Sequence, residues 1–145
     1  MGDSSVYHGV DIVEIERISH AITRWGEQFL RRVFTERELA DAAGRTSSLA
    51  ARFAAKEAAA KALGVGVRGL GARREAADRR PVGWHEIEVV RTASGRPRLQ
   101  LYGRAAERAR ELGWHSTALS MSHARSAAVA SVTALGRADA GADEG

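Results

Sequence analysis

Fifteen residues, Ala50 to Gly64, do most to limit what this chain can become. Eight of them are alanine, the strongest helix former. Gly64 stands where a helix would end. Ser47 or Ser48 can supply the N-cap. The run therefore predicts one long helix reaching Leu63. It also holds the only two lysines, Lys56 and Lys61, among 22 basic residues; every other one is arginine. Lysine is a compact point charge on a flexible stem, whereas arginine is a planar fork. Two readings follow. One is a surface ion pair between Glu57 and Lys61, worth a few tenths of a kcal/mol. The other is a site that needs an ammonium on a phosphate beside a carboxylate on a metal.

Helical spacing puts Glu57 and Lys61 on one face, together with Phe53 and Gly64. Lys56 lies about 100° further round, on a second stripe with Arg52. Lys61 is therefore the better partner for Glu57. A second carboxylate, Asp11, sits in the apolar stretch Gly9-Val10-Asp11-Ile12-Val13. Buried there, it needs a cation or hydrogen-bond donors. It can cap a turn, pair with an arginine or bind a metal. Two carboxylates plus substrate phosphates and waters is the usual way of holding Mg²⁺.

The chain has 145 residues, enough for one domain. There is no cysteine, which excludes disulfides, zinc–thiolate sites and thiol nucleophiles and fits a reducing, cytoplasmic setting. No apolar run approaches the roughly 20 residues of a membrane span. Residues 1–8 do not read as a secretory signal. The net charge is +4, and setting aside the three acids Asp139, Asp143 and Glu144 leaves residues 1–138 at +7. A basic body suits an anionic partner. Nucleic acid is the weakest choice, because the arginines are dispersed and no aromatic-interleaved patch occurs.

Val6 to Val13 reads as a strand. Ile15, Ile18, Ile22 and Trp25 follow as an apolar helical stripe, broken at Gly26. Thr35-Glu36-Arg37-Glu38 is a capping box that opens a short helix. Residues 64–83 are glycine- and arginine-rich and read as a loop. His85–Val90 and Pro97–Tyr102 read as strands joined by a hairpin turn over Ala93-Ser94-Gly95-Arg96. A helix is expected over Ala105–Leu112. A second strand pair, Ser116–Ser122 and Ala127–Val132, flanks His123. The fold class is α+β: a long helix and shorter helices on a small, mainly antiparallel sheet. Residues 1–136 form the expected domain, and 137–145 an acidic tail without fixed structure.

Three further patterns bear on the chemistry. Gly64-Val65-Gly66-Val67-Arg68-Gly69 matches the dinucleotide fingerprint GxGxxG, but it follows a helix rather than a strand and so reads as a helix end and turn. Ser122 and His123 are adjacent on a strand and point to opposite faces, which argues against a Ser–His nucleophile pair. Arg17, His20 and Arg24 form a basic stripe opposite the isoleucines. It is either an ordinary solvated face or a dock for an acidic helix.

Taken together, these segments resemble the holo-[acyl-carrier-protein] synthases, the small single-domain class of 4′-phosphopantetheinyl transferases. Gly9-Val10-Asp11-Ile12-Val13-Glu14-Ile15-Glu16-Arg17-Ile18 is similar to the family's first motif. Arg52-Phe53-Ala54-Ala55-Lys56-Glu57-Ala58-Ala59-Ala60-Lys61-Ala62-Leu63-Gly64 is similar to its second. Ser94-Gly95-Arg96-Pro97 and Leu119-Ser120-Met121-Ser122-His123 are similar to two weaker ones. The resemblance implies Mg²⁺-dependent transfer of phosphopantetheine from coenzyme A to a serine of acyl carrier protein. It implies Asp11 and Glu57 as metal ligands and Lys61 as a phosphate-neutralising cation. Gly64 and Gly66 would line the pyrophosphate, and Arg52, Pro97 and His123 would contact the nucleotide end. Arg17 and Arg24 would face an acidic helix of the carrier. It further implies a cytoplasmic homotrimer with sites between protomers. For the group that takes the serine proton, His123, Glu57 through a metal-bound water, and solvent all stand as candidates. Two departures from the family pattern stand out. Ala124 follows the motif histidine where some relatives have an acid, and the stretch Ala72 to Gly83 is longer than usual. Two rival readings make different predictions: a metal-free basic module that binds an acidic partner, and a nucleic-acid binder with steep salt dependence.

Overall fold

A computed structural model describes residues 3–69 and 80–138. Strand β1 (Ser4–Glu14) leads into helix α1 (Ile15–Trp25), followed by α2 (Glu27–Val33), α3 (Glu36–Ala42) and α4 (Thr46–Leu63). A 3₁₀ turn (Trp84–Glu86) then precedes β2 (Ile87–Arg91), β3 (Pro97–Leu101), α5 (Gly103–Glu111), β4 (Ser116–His123) and β5 (Ala127–Arg137). The strands form an antiparallel three-stranded sheet in the order β1-β5-β4 and a separate β2-β3 hairpin. This is the expected α+β class.

Alanine is the reason α4 lies at the centre. Its buried set includes Ala50, Ala51, Ala54, Ala55, Ala58, Ala59, Ala60 and Ala62, on nearly every side of the helix. Side chains ending at Cβ let the sheet and the outer helices approach the axis closely, and each methyl loses water contact. The inward face of the sheet is small as well, with Gly9, Ala128, Ala130, Val132 and Ala134. Gly64 ends α4 in the left-handed region, at φ 72°.

Several boundaries differ from the sequence reading. The long helix starts at Thr46 and carries no side-chain cap. Ser48 lies inside it, where its hydroxyl and carbonyl accept hydrogen bonds from Arg52 Nη1 at 2.9 and 3.2 Å. The α2 helix has no counterpart in that reading, because its seven residues are too few to show a period. Trp25, placed on the apolar stripe, is 53% exposed and stacks beneath the Arg24 guanidinium, 4.9 Å from the ring centroid. The capping box at Thr35 forms as expected, with Glu38 N donating to Thr35 Oγ1 and Thr35 N donating to Glu38 Oε1. Val67 and Val82 bridge the two sides of the 64–83 connection. Residues 72–79 of the long stretch, and 139–145 of the expected tail, lie outside the described residues.

The two lysines take opposite roles. Lys56 is fully buried. Its ammonium pairs with Glu38 Oε1 at 2.7 Å and donates to the carbonyls of Trp84 (2.9 Å) and Ile87 (2.5 Å). Glu38 Oε2 in turn accepts from Val89 N at 2.9 Å. One buried ion pair thus ties α3, α4 and the start of the β2-β3 hairpin together. Burial pushes the Lys56 ammonium below its ordinary pKa, and the Glu38 charge opposes that shift.

Candidate active site

Lys61 faces the other way. Its ammonium reaches across to β1, donating to Asp11 Oδ1 at 2.9 Å and to the Val10 carbonyl at 3.1 Å. Glu57, one turn earlier on the same face of α4, is half-buried, with its carboxyl against that of Asp11. Burial first, and the Asp11 carboxyl second, push the Glu57 carboxyl from the usual 4.5 up to about 7. Arg17 and Lys61 pull it in the opposite direction. Two carboxylates side by side can share one proton or one cation, but they repel when both are ionised. The Asp11 side chain is only 10% exposed, and once Glu57 is ionised its buried Oδ2 has no hydrogen-bond donor. An acceptor left over in this way, beside a second carboxylate, is the donor set a hard divalent cation takes. Among the described residues no third His, Cys, Asp or Glu joins the pair, so the remaining ligands of such a cation would be substrate oxygens and water.

A second cluster lies on the other side of α4. Arg52 and His123 line a cavity of about 210 Å³ together with Arg45, Ser47, Ser48 and Arg91. Arg52 is buried. Burial, then the Arg91 charge, hold its guanidinium below the ordinary value. Guanidiniums crowded around a small cavity favour an anion with several oxygens, and phosphate fits that description. Pro97 lies in an adjoining groove that shares Met121. The sequence reading named Arg52, His123 and Pro97 but missed Arg45 and Arg91. Each is one arginine among many, and only the fold brings them to the same cavity.

Arg17 and Arg24 are both on the exposed side of α1. Arg17 also borders a cavity of about 640 Å³ floored by Ala21, Phe29, Val33, Phe53 and Trp84. Phe53 and Trp84 stack there at 5.0 Å. Gly64 and Gly66 follow Lys61 at the end of α4, and Gly66 O accepts from Val82 N at 2.9 Å.

The family model for the 4′-phosphopantetheinyl transferase superfamily matches residues 8–131. The chain belongs to that superfamily. Among superfamily members, the holo-[acyl-carrier-protein] synthase of Chloroflexus aurantiacus is 56% identical over 134 residues, covering 89% of this chain and 97% of the relative. That of Herpetosiphon aurantiacus is 49% identical, covering 88% and 97%. The fold agrees with solved structures of the superfamily. The coenzyme A complex of the Chronobacterium ammoniagenes enzyme superposes with a TM-score of 0.75 at 33% identity, over 93% of this chain and 99% of that one. The Helicobacter pylori holo-[acyl-carrier-protein] synthase with coenzyme A gives a TM-score of 0.70 at 28% identity, over 88% and 98%. No helix among the described residues is long and apolar enough to cross a membrane.

Proposed function

We propose that this chain transfers the 4′-phosphopantetheine group of coenzyme A to a serine of an apo acyl carrier protein, with Mg²⁺ required. The products are the holo carrier and adenosine 3′,5′-bisphosphate. The observation that carries this reading is the meeting of Asp11, Glu57 and Lys61 in a chain whose relatives are holo-[acyl-carrier-protein] synthases. The serine oxygen attacks the phosphorus that bears pantetheine. One P–O bond forms as the bond to the bridging pyrophosphate oxygen breaks, and that electron pair leaves on the adenosine bisphosphate. Such a transfer needs alignment and charge compensation more than covalent help from the protein.

Asp11 and Glu57 would hold Mg²⁺, which when bound supplies positive charge against the pyrophosphate and improves the leaving group. Lys61, whose side chain is 57% exposed, reaches outward to neutralise charge as it builds on the leaving phosphate. Gly64 and Gly66 present bare backbone beside the pyrophosphate. Arg52 and His123, with Arg45 and Arg91, bind the phosphate of the nucleotide end, and Pro97 packs next to it. The proton of the serine goes to His123, to Glu57 or to solvent. Arg17 and Arg24 meet the acidic helix of the carrier protein. Residues 1–136 act as one domain, and a cytoplasmic location suits both substrates.

The two halves of this machinery face apart on one protomer. Arg52 and Glu57 are five residues apart on α4, about 140° around the helix. One coenzyme A has to touch both halves, and a second copy of the chain brings them together. A homotrimer with sites between protomers meets this need. The outward sheet face carries Val6, Ile12, Val10 and Leu135, exposed by 67, 70, 51 and 40%, and so offers apolar surface for the association.

Mass spectrometry of an apo carrier protein incubated with this chain, coenzyme A and Mg²⁺ tests the reaction. The carrier gains one phosphopantetheine group, and EDTA prevents the gain. Unmodified carrier across several candidates would refute the assignment. Shared sites give a second expectation. An Asp11→Asn chain and an Arg91→Ala/His123→Ala chain are each nearly inactive alone. Co-refolded, they recover activity at about a tenth of wild type or more, since mixed trimers contain intact boundaries. No recovery in verified mixed oligomers would mean that each protomer works alone.

A further inference from the structure

We propose that Gly9 is a positioning residue: its bare backbone contact with the Ala58–Ala62 turn of α4 fixes how far Asp11 stands from Glu57, and so sets which cation size the pair accepts. This inference rests on the reading of Asp11 and Glu57 as metal ligands.

A Cβ placed on Gly9 would lie 1.9 Å from the Ala58 carbonyl oxygen and 2.8 Å from the Ala62 nitrogen. Both are backbone atoms of a continuous buried helix, so neither can turn aside as a side chain could. Glycine is needed here for space, not for an unusual backbone angle, since Gly9 lies in regular strand pairing opposite Val132. The contact sits among the site residues themselves. Asp11 is two positions along β1, on the same face of the strand as Gly9. Glu57 directly precedes Ala58, and Lys61 directly precedes Ala62. The spacing between strand and helix at this point therefore becomes the spacing between the two carboxylates. With no side chain in between, nothing at the contact can rotate to change it. Mg²⁺ needs oxygens at about 2.0–2.1 Å and Ca²⁺ at about 2.3–2.6 Å, so a change of a few tenths of an ångström per ligand decides between them. Moving a Cβ from 1.9 Å to 3.0 Å, the closest that real contacts come, would push β1 off α4 by about 1 Å.

The test is calorimetric titration of the full chain with Mg²⁺ and, separately, Ca²⁺, comparing wild type with Gly9→Ala. A thermal melt and adenosine 3′,5′-bisphosphate binding serve as controls on the fold. The expected result is a loss of Mg²⁺ affinity of about 10-fold or more with a much smaller change for Ca²⁺, while nucleotide binding stays within about twofold. Equal losses for both ions, or no loss, would overturn the proposal. If Gly9→Ala does not melt cooperatively, Glu57→Asp carries the test, because it leaves the Gly9 contact intact and shortens one arm by a methylene. A fixed spacing makes that variant lose Mg²⁺ more than Ca²⁺. A strand that can shift would close the gap and leave the ratio unchanged, which also overturns the proposal. Mg²⁺ binding that Asp11→Asn does not alter would instead remove the metal assignment, and the positioning role with it.

Discussion

Replacing Glu57 by Gln abolishes phosphopantetheine transfer and at the same time makes the metal-free protein harder to melt at pH 8. The expected fall in kcat/KM is about 10³-fold, the scale at which a group that stabilises transition-state charge is lost. The gain in stability has a separate origin. With its carboxyl raised to about 7, folded metal-free protein keeps a proton on Glu57 that the unfolded chain gives up near 4.5. Between those values the folded state binds more protons than the unfolded one. Stability therefore declines as pH rises through that window, and the deficit is complete above about 7. Glutamine carries no proton to lose and escapes the decline. Because Glu57 is only partly buried, solvent screening cuts the effect to about 1–2 kcal/mol. In a chain of this size that is about 3–6 °C in Tm. Melts in EDTA at pH 8 and pH 5 test the claim, with the variant ahead at pH 8 and level at pH 5. A variant less stable than wild type at both pH values would show that the carboxyl pair is not under electrostatic tension.

Lys56→Met gives the opposite result, a large loss of stability. The substitution strands the buried Glu38 carboxylate without its cation and leaves the Trp84 and Ile87 carbonyls short of a donor. Breaking one side of a buried pair costs about 3–5 kcal/mol. The midpoint of urea unfolding should move accordingly. In a Glu38→Gln background the same substitution costs less, by 1 kcal/mol or more, because the stranded charge is gone. Additive losses would contradict the pairing. Any activity lost in Lys56→Met should follow the folded fraction, since Lys56 lies on a different stripe of α4 from Glu57.

The contrast between the two lysines shows how far the residues alone could lead. Helical spacing separates Lys56 from Glu57 and Lys61 without any structure, because a turn of about 100° per residue is a property of the backbone. Asp11 was legible for a similar reason: a carboxylate inside an apolar strand demands a partner wherever the strand goes. What spacing cannot supply is the partner on another element. Nothing local to Glu38 marks it as the counter-ion of a lysine 18 positions on, and nothing near Arg91 points to Arg52. Trp25 misled because an apolar stripe does not show where the neighbouring element ends. The role of Ser48 as an acceptor for Arg52, rather than a cap, turned on two residues of helix extension. The need for glycine at position 9 is set by the α4 backbone packed against it, which no residue of β1 marks.

All of this turns on Asp11 and Glu57 together binding one divalent ion. The most direct measurement is anomalous diffraction from crystals grown with Mn²⁺ and coenzyme A. A single strong peak per chain, within coordination distance of oxygens from both carboxyls, is the expected result. A peak elsewhere, or manganese held by neither side chain, would strip the pair of its role as metal ligands.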